Sequence, residues 1–324
     1  MSMSTITANA DRGAPDAGSY SFVRVMGWCL RRELWENRSI LIAPFAAAGV
    51  LLFAVLFPVM SLLTRTGQFR GQFMAGGNIQ GDVPNGALWI PYAVVAMPVL
   101  AIGVLVATAY CLGALQGERR DRSILFWKSL PVSDATTVLS KAAIPLVVVP
   151  LVSFVAALIT QLAIFAVALL VFPLFAARSH LVWNGMPIDT HTAGLIWTGV
   201  PVGYLTFAML YGLLATALWH APLYAWLLLV GGWAKRMTFL WAVAPAGALM
   251  LVERIGFGTE HLKELIRHRL GDSLSLAFSD MPGNALPALT PGRFLSDPGL
   301  WGGLAVAALL LGAATLMRRY RQPI

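Results

Sequence analysis

The sequence reads as an all-α polytopic membrane protein, and three observations lead there. Of its 324 residues, 58% are apolar and only 12% are charged, where soluble domains carry about a quarter charged residues. The few charges are unevenly spread. Uncharged runs cover Ser39–Thr64, Val83–Gly117, Ala142–Ala177, Thr190–Ala234 and Pro298–Met317, with lengths of 26, 35, 36, 45 and 20 residues. Each reaches the roughly 20 helical residues that cross a hydrocarbon core of ~30 Å. Finally, the formal net charge of +8 sorts by position in the way that sets membrane orientation. A soluble enzyme, a nucleic-acid-binding protein and a disordered tail are excluded.

Residues 1–19 are rich in Ser, Thr, Ala and Asp, and lack the basic-then-apolar layout of a signal peptide. They are expected to be a disordered cytoplasmic lead-in. In 20–38, Phe22, Val23, Met26, Cys29, Leu30 and Leu34 share one helical face while Arg24, Arg31 and Arg38 gather opposite. With Trp28 and Trp35 added, this predicts an amphipathic helix lying along the cytoplasmic leaflet. Glu33 falls inside the apolar arc and breaks the pattern.

Six spans are expected, near 39–63, 88–116, 142–172, 195–219, 237–253 and 299–317. The 45-residue run would be ~67 Å long as one helix, too long for one crossing. Residues 195–219 are therefore assigned as the fourth span. Ala221–Ala234, too short to cross, is assigned as a re-entrant or interfacial element before the fifth span. The loop 64–87 is rich in Gly, Gln and Asn and is expected to be irregular. In the outer segment 254–298, Thr259 is a candidate cap for a helix with Leu262, Leu265, Ile266 and Leu270 on one face. Glu264 is placed to pair with Arg267 or His268. That helix could pack on the spans, rest on the leaflet or act as a lid.

Charge tests the topology. With both ends cytoplasmic, the inner segments hold 15 basic residues and the outer ones 8, five of these in the long loop 254–298. Acidic residues number 7 inside and 8 outside, so the whole net charge lies on the cytoplasmic face. The basic balance thus reports orientation and anionic lipid headgroups.

Minor features read blandly. Cys29 and Cys111 belong to different zones and are not expected to pair. His180 and His191 flank Trp183 with no third ligand at a metal-binding spacing. Gly113 with Gly117, and Gly199 with Gly203, have spacings that let helices approach. Prolines 58, 98, 145, 150, 201 and 245 should kink the spans.

The most informative stretch is 117–141, GERRDRSILFWKSLPVSDATTVLSK. Five basic and three acidic residues surround the apolar patch Ile124, Leu125, Phe126, Trp127 and Leu130. Pro131 stops any helix there, and Ser133 or Asp134 can cap the next one, which carries Lys141 into the third span. An apolar anchor with a charged rim suits docking into a groove of another protein.

Here the chain resembles a family. Gln116-Gly117-Glu118-Arg119-Arg120, then Ser123-Ile124-Leu125, then Leu130-Pro131-Val132-Ser133 look like the cytoplasmic signature of type-2 ABC exporter permeases. In that family a Glu-Arg pair ends a span, a segment commonly reading Gly-Thr-Leu-Glu follows, and a Leu-x-x-Pro-Val-Ser run precedes a basic residue entering the next span. Asp121-Arg122-Ser123-Ile124 stands where the glycine and threonine usually lie. The match covers about 25 residues of the chain. The N-terminal LRRELWENRSILIAPF and the six-span layout are also similar.

The resemblance implies a single permease domain over 20–324 that couples to a separate ABC ATP-binding subunit. Ile124, Leu125, Phe126, Trp127 and Leu130 would be the anchor, and Glu118, Arg119, Arg120, Asp121 and Arg122 the steering rim. It further implies a second permease chain (homodimer or heterodimer), a bacterial cytoplasmic (inner) membrane, and both termini cytoplasmic. The chain would not be an enzyme and would hold no cofactor, ATP and Mg belonging to the partner. Cargo would be lipid-like, peptidic or otherwise amphiphilic.

The residues agree with a borrowed motor. A phosphate-cradling loop needs Gly-Lys-Ser/Thr, and the four lysines, 128, 141, 235 and 263, follow Trp, Ser, Ala and Leu. No nucleophile elbow or His-Glu-x-x-His motif is present. Span interiors carry Gln161 and hydroxyls in place of the ionisable groups an ion-coupled carrier would use. The alternative reading is an ATP-independent membrane transporter or a scaffold protein.

Overall fold

The computed structural model describes residues 22–64, 89–120, 132–179, 182–183, 186–187, 201–234, 236–279 and 288–320. The lead-in 1–19, the loop 65–87, His180 and His191 lie outside the described residues. The chain is a helical membrane protein. Among the described residues, six helices are long and apolar enough to cross a bilayer: Ser39–Phe57, Val95–Gly117, Asp134–Val171, Val202–Trp219, Thr238–Gly256 and Pro298–Tyr320.

In chain order, α1 is Phe22–Glu36, α2 Ser39–Thr64, α3 Trp89–Arg120 and α4 Asp134–Ala143. A wide π turn, Ile144–Val148, joins α4 to α5, Val149–Ser179. There follow a two-residue antiparallel pair, β1 Val182–Trp183 with β2 Met186–Pro187, then α6, Val202–Trp219, and α7, Ala221–Trp233. Helix α8 is Thr238–Gly256, α9 His261–Gly271, α10 Ser273–Ala277, α11 Pro291–Ser296 and α12 Pro298–Tyr320. The π turn contains Pro145 and is followed by Pro150; the Val149 N–H reaches back to the Ile144 carbonyl. A proline removes one i→i−4 donor, and a widened turn accommodates that loss.

The largest core cluster joins α2, α3, α4, α7 and α12 through Ile40, Cys111, Leu115, Val138, Leu228 and Ala314. A second, through Ala48, Ala96, Val99, Ala156 and Ala157, binds α2, α3 and α5 where small side chains let the helices close up. Gly231 shows how close. A Cβ there would stand 3.2 Å from the carbonyl oxygens of Cys111 and Leu112. The Gly113, Gly117 and Gly203 of the expected small-residue pairs instead have open space at that position. Spacing alone does not say which face of a helix is packed.

Helix α7 covers the residues expected to form a re-entrant or interfacial element, and its contacts run on from those of α6. Leu213 and Ala217 of α6 line one small cavity with Leu100, Gly103 and Ala107 of α3. Tyr224 and Leu228 of α7 cluster with Ala107, Tyr110, Cys111 and Leu115. Gly231 meets Cys111 and Leu112, and Thr238 meets Gln116. These contacts advance along α3 without reversing, so α7 carries on in the direction of α6 after a local break. The break is local: Pro222 lacks an N–H, and the His220 carbonyl takes the N–H groups of Leu223 and Tyr224 at 2.9 and 3.1 Å.

Away from α1, helices α9 to α11 close the bundle. Trp219, fully buried, packs with Ala277, Phe294 and Leu300. Arg269 places its guanidinium 4.4 Å from the Trp219 ring centroid and donates to the Gly299 carbonyl at 3.1 Å. Burial lowers the Arg269 pKa, with Asp297 opposing. The packed face of α9 is thus Leu262, Ile266 and Arg269, while Leu265 and Leu270 are exposed. Nor does Thr259 cap α9. The Glu253 carboxylate does, accepting the N–H groups of His261 at 2.7 Å and Leu262 at 2.9 Å, while the Thr259 hydroxyl donates to it at 3.0 Å. Arg267 pairs with Glu264, its Nε donating at 2.9 Å.

Two outcomes follow. Gly231→Ala should lie about 1–3 kcal/mol below Gly232→Ala in stability, because a Cβ at Gly232 meets Leu115 Cδ1 at an ordinary 3.5 Å. Thermal unfolding of the two purified variants in one detergent measures the gap. In α9, hydrogen bonds from Lys263 and Arg267 hold the Glu260 and Glu264 carboxyls below their usual range. Groups with depressed folded pKa values stabilise above the ordinary carboxyl pKa and lose that support as pH falls through the folded value. Amide protection over His261–Gly271 should therefore weaken as pH falls from 7 to below about 4.

Candidate functional site

The residues that draw attention lie where α1 meets the bundle. Glu33 projects from the inner face of α1 and is 2% exposed. Carboxylate burial costs several kcal/mol unless the charge is paired and hydrogen-bonded. Both oxygens are satisfied here. Oε1 accepts from Lys141 Nζ at 2.8 Å and Oε2 from the Tyr110 hydroxyl at 2.7 Å. Lys141 is itself 2% exposed, in the last turn of α4. One carboxylate thereby ties α1 to α3 and α4.

A second pair secures the opposite end of α4. Ser133 caps the helix, its hydroxyl accepting the Thr136 N–H at 3.1 Å. Asp134 in the first turn accepts from Arg318 Nε of α12 at 3.0 Å, and the Arg318 side chain is only 4% exposed. At the same end, the Thr238 hydroxyl of α8 donates to Gln116 of α3. Asn37 closes the α1–α2 corner, donating its backbone N–H at 2.9 Å and its side-chain amide at 3.2 Å to the Glu33 carbonyl. Five helices are therefore fastened around the point where the chain leaves α3 and returns at α4.

That point frames the loop singled out by sequence. Helix α3 continues through Glu118 and Arg119 to Arg120, so these three stand on its last turn. The other expected residues, Asp121, Arg122, Ile124, Leu125, Phe126, Trp127 and Leu130, lie outside the described residues. The structure places both flanks of the loop. Its cap, Ser133, is one of the two candidates expected.

Sequence reasoning missed the Glu33–Tyr110–Lys141 cluster, although a signal existed. Glu33 interrupts the apolar arc of 20–38, and Lys141 stands at the door of an uncharged run. Two opposite charges, each at a position that should be apolar, are candidates for one another. Tyr110 gave no such sign. Cys29, on the same helix, has its thiol pKa raised chiefly by burial, the opposite of what a reactive thiol needs. Among the described residues, no three His, Cys, Asp or Glu side chains come together as a metal site. A cavity of about 20 Å³ between α3, α5 and α6, lined by Gly103, Ser153 and Thr216 among others, has room for little more than a water molecule.

Comparison with family models, with curated proteins and with solved structures finds no match to this chain. The junction must be interpreted on its own geometry.

The cluster makes a sharp energetic prediction. Glu33→Ala leaves the Lys141 ammonium buried without its counter-charge and should cost about 3–5 kcal/mol. Lys141→Met should cost a comparable amount. The double variant Glu33→Leu/Lys141→Met, which buries no charge at this site, should recover most of the loss. A double-mutant cycle on thermal stability in detergent measures the coupling; additive losses would show that the pair does not interact.

Proposed function

We propose that this chain is the membrane-spanning subunit of an ATP-driven exporter of the type-2 ABC kind. Two such membrane chains work with two separate ATPase chains, and the 117–134 loop is the coupling element. The observation that carries the reading is the fastening of both flanks of that loop, the α3 flank through Gln116 to Thr238 and the α4 flank through two ion pairs. Lys141, seven residues into the helix that Ser133 caps, is held by Glu33, and Asp134 is held by Arg318. A force applied to the loop reaches α4 at its capped end and passes at once to α1 and α12.

The chemistry of each part fits its task. Apolar Ile124, Leu125, Phe126, Trp127 and Leu130 supply docking energy on a partner cleft, and Glu118 to Arg122 supply register. ATP and Mg act on the partner, which closes and reopens as nucleotide is bound and hydrolysed. Displacement of the loop then tilts α4 and, through the π turn at Ile144–Val148, bends it relative to α5. Helix α1 lies along the cytoplasmic leaflet of a bacterial inner membrane, and both termini are cytoplasmic.

A lipid-like, peptidic or amphiphilic cargo would pass between two membrane chains or along their lipid-facing surface, a path that fits a paired assembly.

Purification settles the first step: the chain should bring down a soluble ATPase encoded beside it. Glu118→Ala or Trp127→Ala should abolish stimulation of that ATPase, or its assembly, with membrane insertion unchanged. Wild-type coupling in both variants, or transport by the chain alone in vesicles, would overturn the assignment and favour an ATP-independent transporter.

A further inference from the structure

One buried hydroxyl of the bundle is aimed where no protein group receives it. Helical hydroxyls in apolar surroundings ordinarily bond the carbonyl one turn back, and two in this bundle do so. Thr108 of α3 donates to the Val104 carbonyl at 2.9 Å, and Thr160 of α5 donates to the Ala156 carbonyl at 2.8 Å. Ser153 of α5, only 1% exposed, does not; its Oγ has no hydrogen-bond partner among the described residues. The hydroxyl lies against α3 instead. A Cβ added at Gly103 would stand 2.1 Å from Ser153 Oγ, so glycine there leaves the hydroxyl its place. Both residues line the cavity of about 20 Å³.

The backbone beside that cavity has a matching need. Pro145 and Pro150 line it too, the first inside the π turn and the second just after it. Within the turn the Val149 N–H serves the Ile144 carbonyl. The next donor in that pattern would be residue 150, and a proline has no N–H. The Pro145 carbonyl therefore loses the bond that would follow. Within a membrane bundle, carbonyls freed in this way are served by hydroxyl side chains and ordered waters. Thr216 lines the same cavity from α6. Its hydroxyl donates to Ser273 Oγ at 3.4 Å, which leaves its lone pairs able to accept.

We infer that this cavity is a binding site for one water molecule, held by the Ser153 hydroxyl and the Pro145 carbonyl, with Thr216 as a third contact. About 10–15 Å³ suffices for one water, and a site of that size is dry when its walls are purely apolar. Ser153 makes the difference. Left unserved in the interior, its hydroxyl would carry the full cost of lost hydration, whereas an immobilised water costs less than the hydrogen bonds it restores. The water solvates the bend between α4 and α5 from inside the bundle, and the site stands whether or not the chain is an exporter.

The test exposes the full chain in nanodiscs to a brief X-ray pulse, which splits water into hydroxyl radicals that oxidise the side chains beside it. Mass spectrometry then reads the oxidised residues. Pro145 and Tyr224, both buried in the cavity wall, should be oxidised, while Leu300, 2% exposed and outside the cavity, should not. After mixing with heavy-oxygen water, label at Pro145 and Tyr224 should lag behind label at exposed residues, because a held water exchanges more slowly than bulk. Ser153→Ala removes the hydroxyl, and oxidation at Pro145 and Tyr224 should fall to the level of Leu300. Should that variant loosen the fold, which oxidation at Leu300 would reveal, Ser153→Cys makes the same comparison with a side chain of closer volume and a weak hydrogen-bonding group. No oxidation at Pro145 and Tyr224 in the wild-type chain overturns the inference. So does oxidation there that loss of the hydroxyl leaves unchanged, and so does heavy oxygen arriving without a lag, which would mean that bulk solvent enters.

Discussion

The burial of one carboxylate governs how this molecule is put together at its charged end. Glu33 cannot sit in an apolar environment unneutralised, so α1 can dock on the bundle in only one rotation. A turn of one residue, about 100°, would carry the carboxylate away from Lys141 and Tyr110 and bury an unpaired charge. Such a pair contributes modest net stability, because both ions lose their hydration, yet losing one partner is expensive. That asymmetry makes it a device of register. It fixes α1 against α3 and α4, and those two helices bracket the loop from 121 to 131.

The same logic orders the other polar contacts at this end. Asp134 with Arg318 positions α12 against the first turn of α4, and Thr238 with Gln116 sets the start of α8 against the last turns of α3. Each joins residues far apart in sequence, and the packing between them is built mainly from apolar and small side chains that specify little. In a bundle whose helices are apolar on nearly every face, sliding or rotating one against another changes hydrophobic contact only slightly. A handful of polar pairs near one level therefore carries much of the specificity, and the opposite end repeats the solution with Arg269 laid over Trp219.

The spans were legible in the sequence because the bilayer imposes a length and an exclusion of charge, and both survive in composition alone. Helix ends were legible where a cap or a proline marks them, as at Ser133. What composition could not show was direction after a break. Ala221–Ala234 is too short to cross by itself, and only its contacts with Cys111, Leu112 and Ala307 show that it continues α6. Pairings between distant charges were equally hidden, since a buried salt bridge appears in one sequence only as two misplaced residues. Glu33 was visible as a flaw in an amphipathic pattern. Reading that flaw as half of a pair requires knowing that Lys141 lies one helix away.

The two faces of α1 explain why a short helix of 15 residues can be held in place outside the spans. An isolated helix of that length is marginal in water, and its first turn carries no acidic residue. Its order comes from its two surroundings. Inward, Leu30 and Leu34 pack beside the main core and Glu33 fixes the angle. Outward, the exposed Trp28 and Trp35 would leave large apolar surface in water, which is costly unless a headgroup layer covers it. The inner contact tolerates one rotation and so fixes the face that α1 turns to the bundle. The Glu33–Lys141 pair also ties α4 to α1, so neither helix can turn without exposing the other's buried charge to an apolar environment.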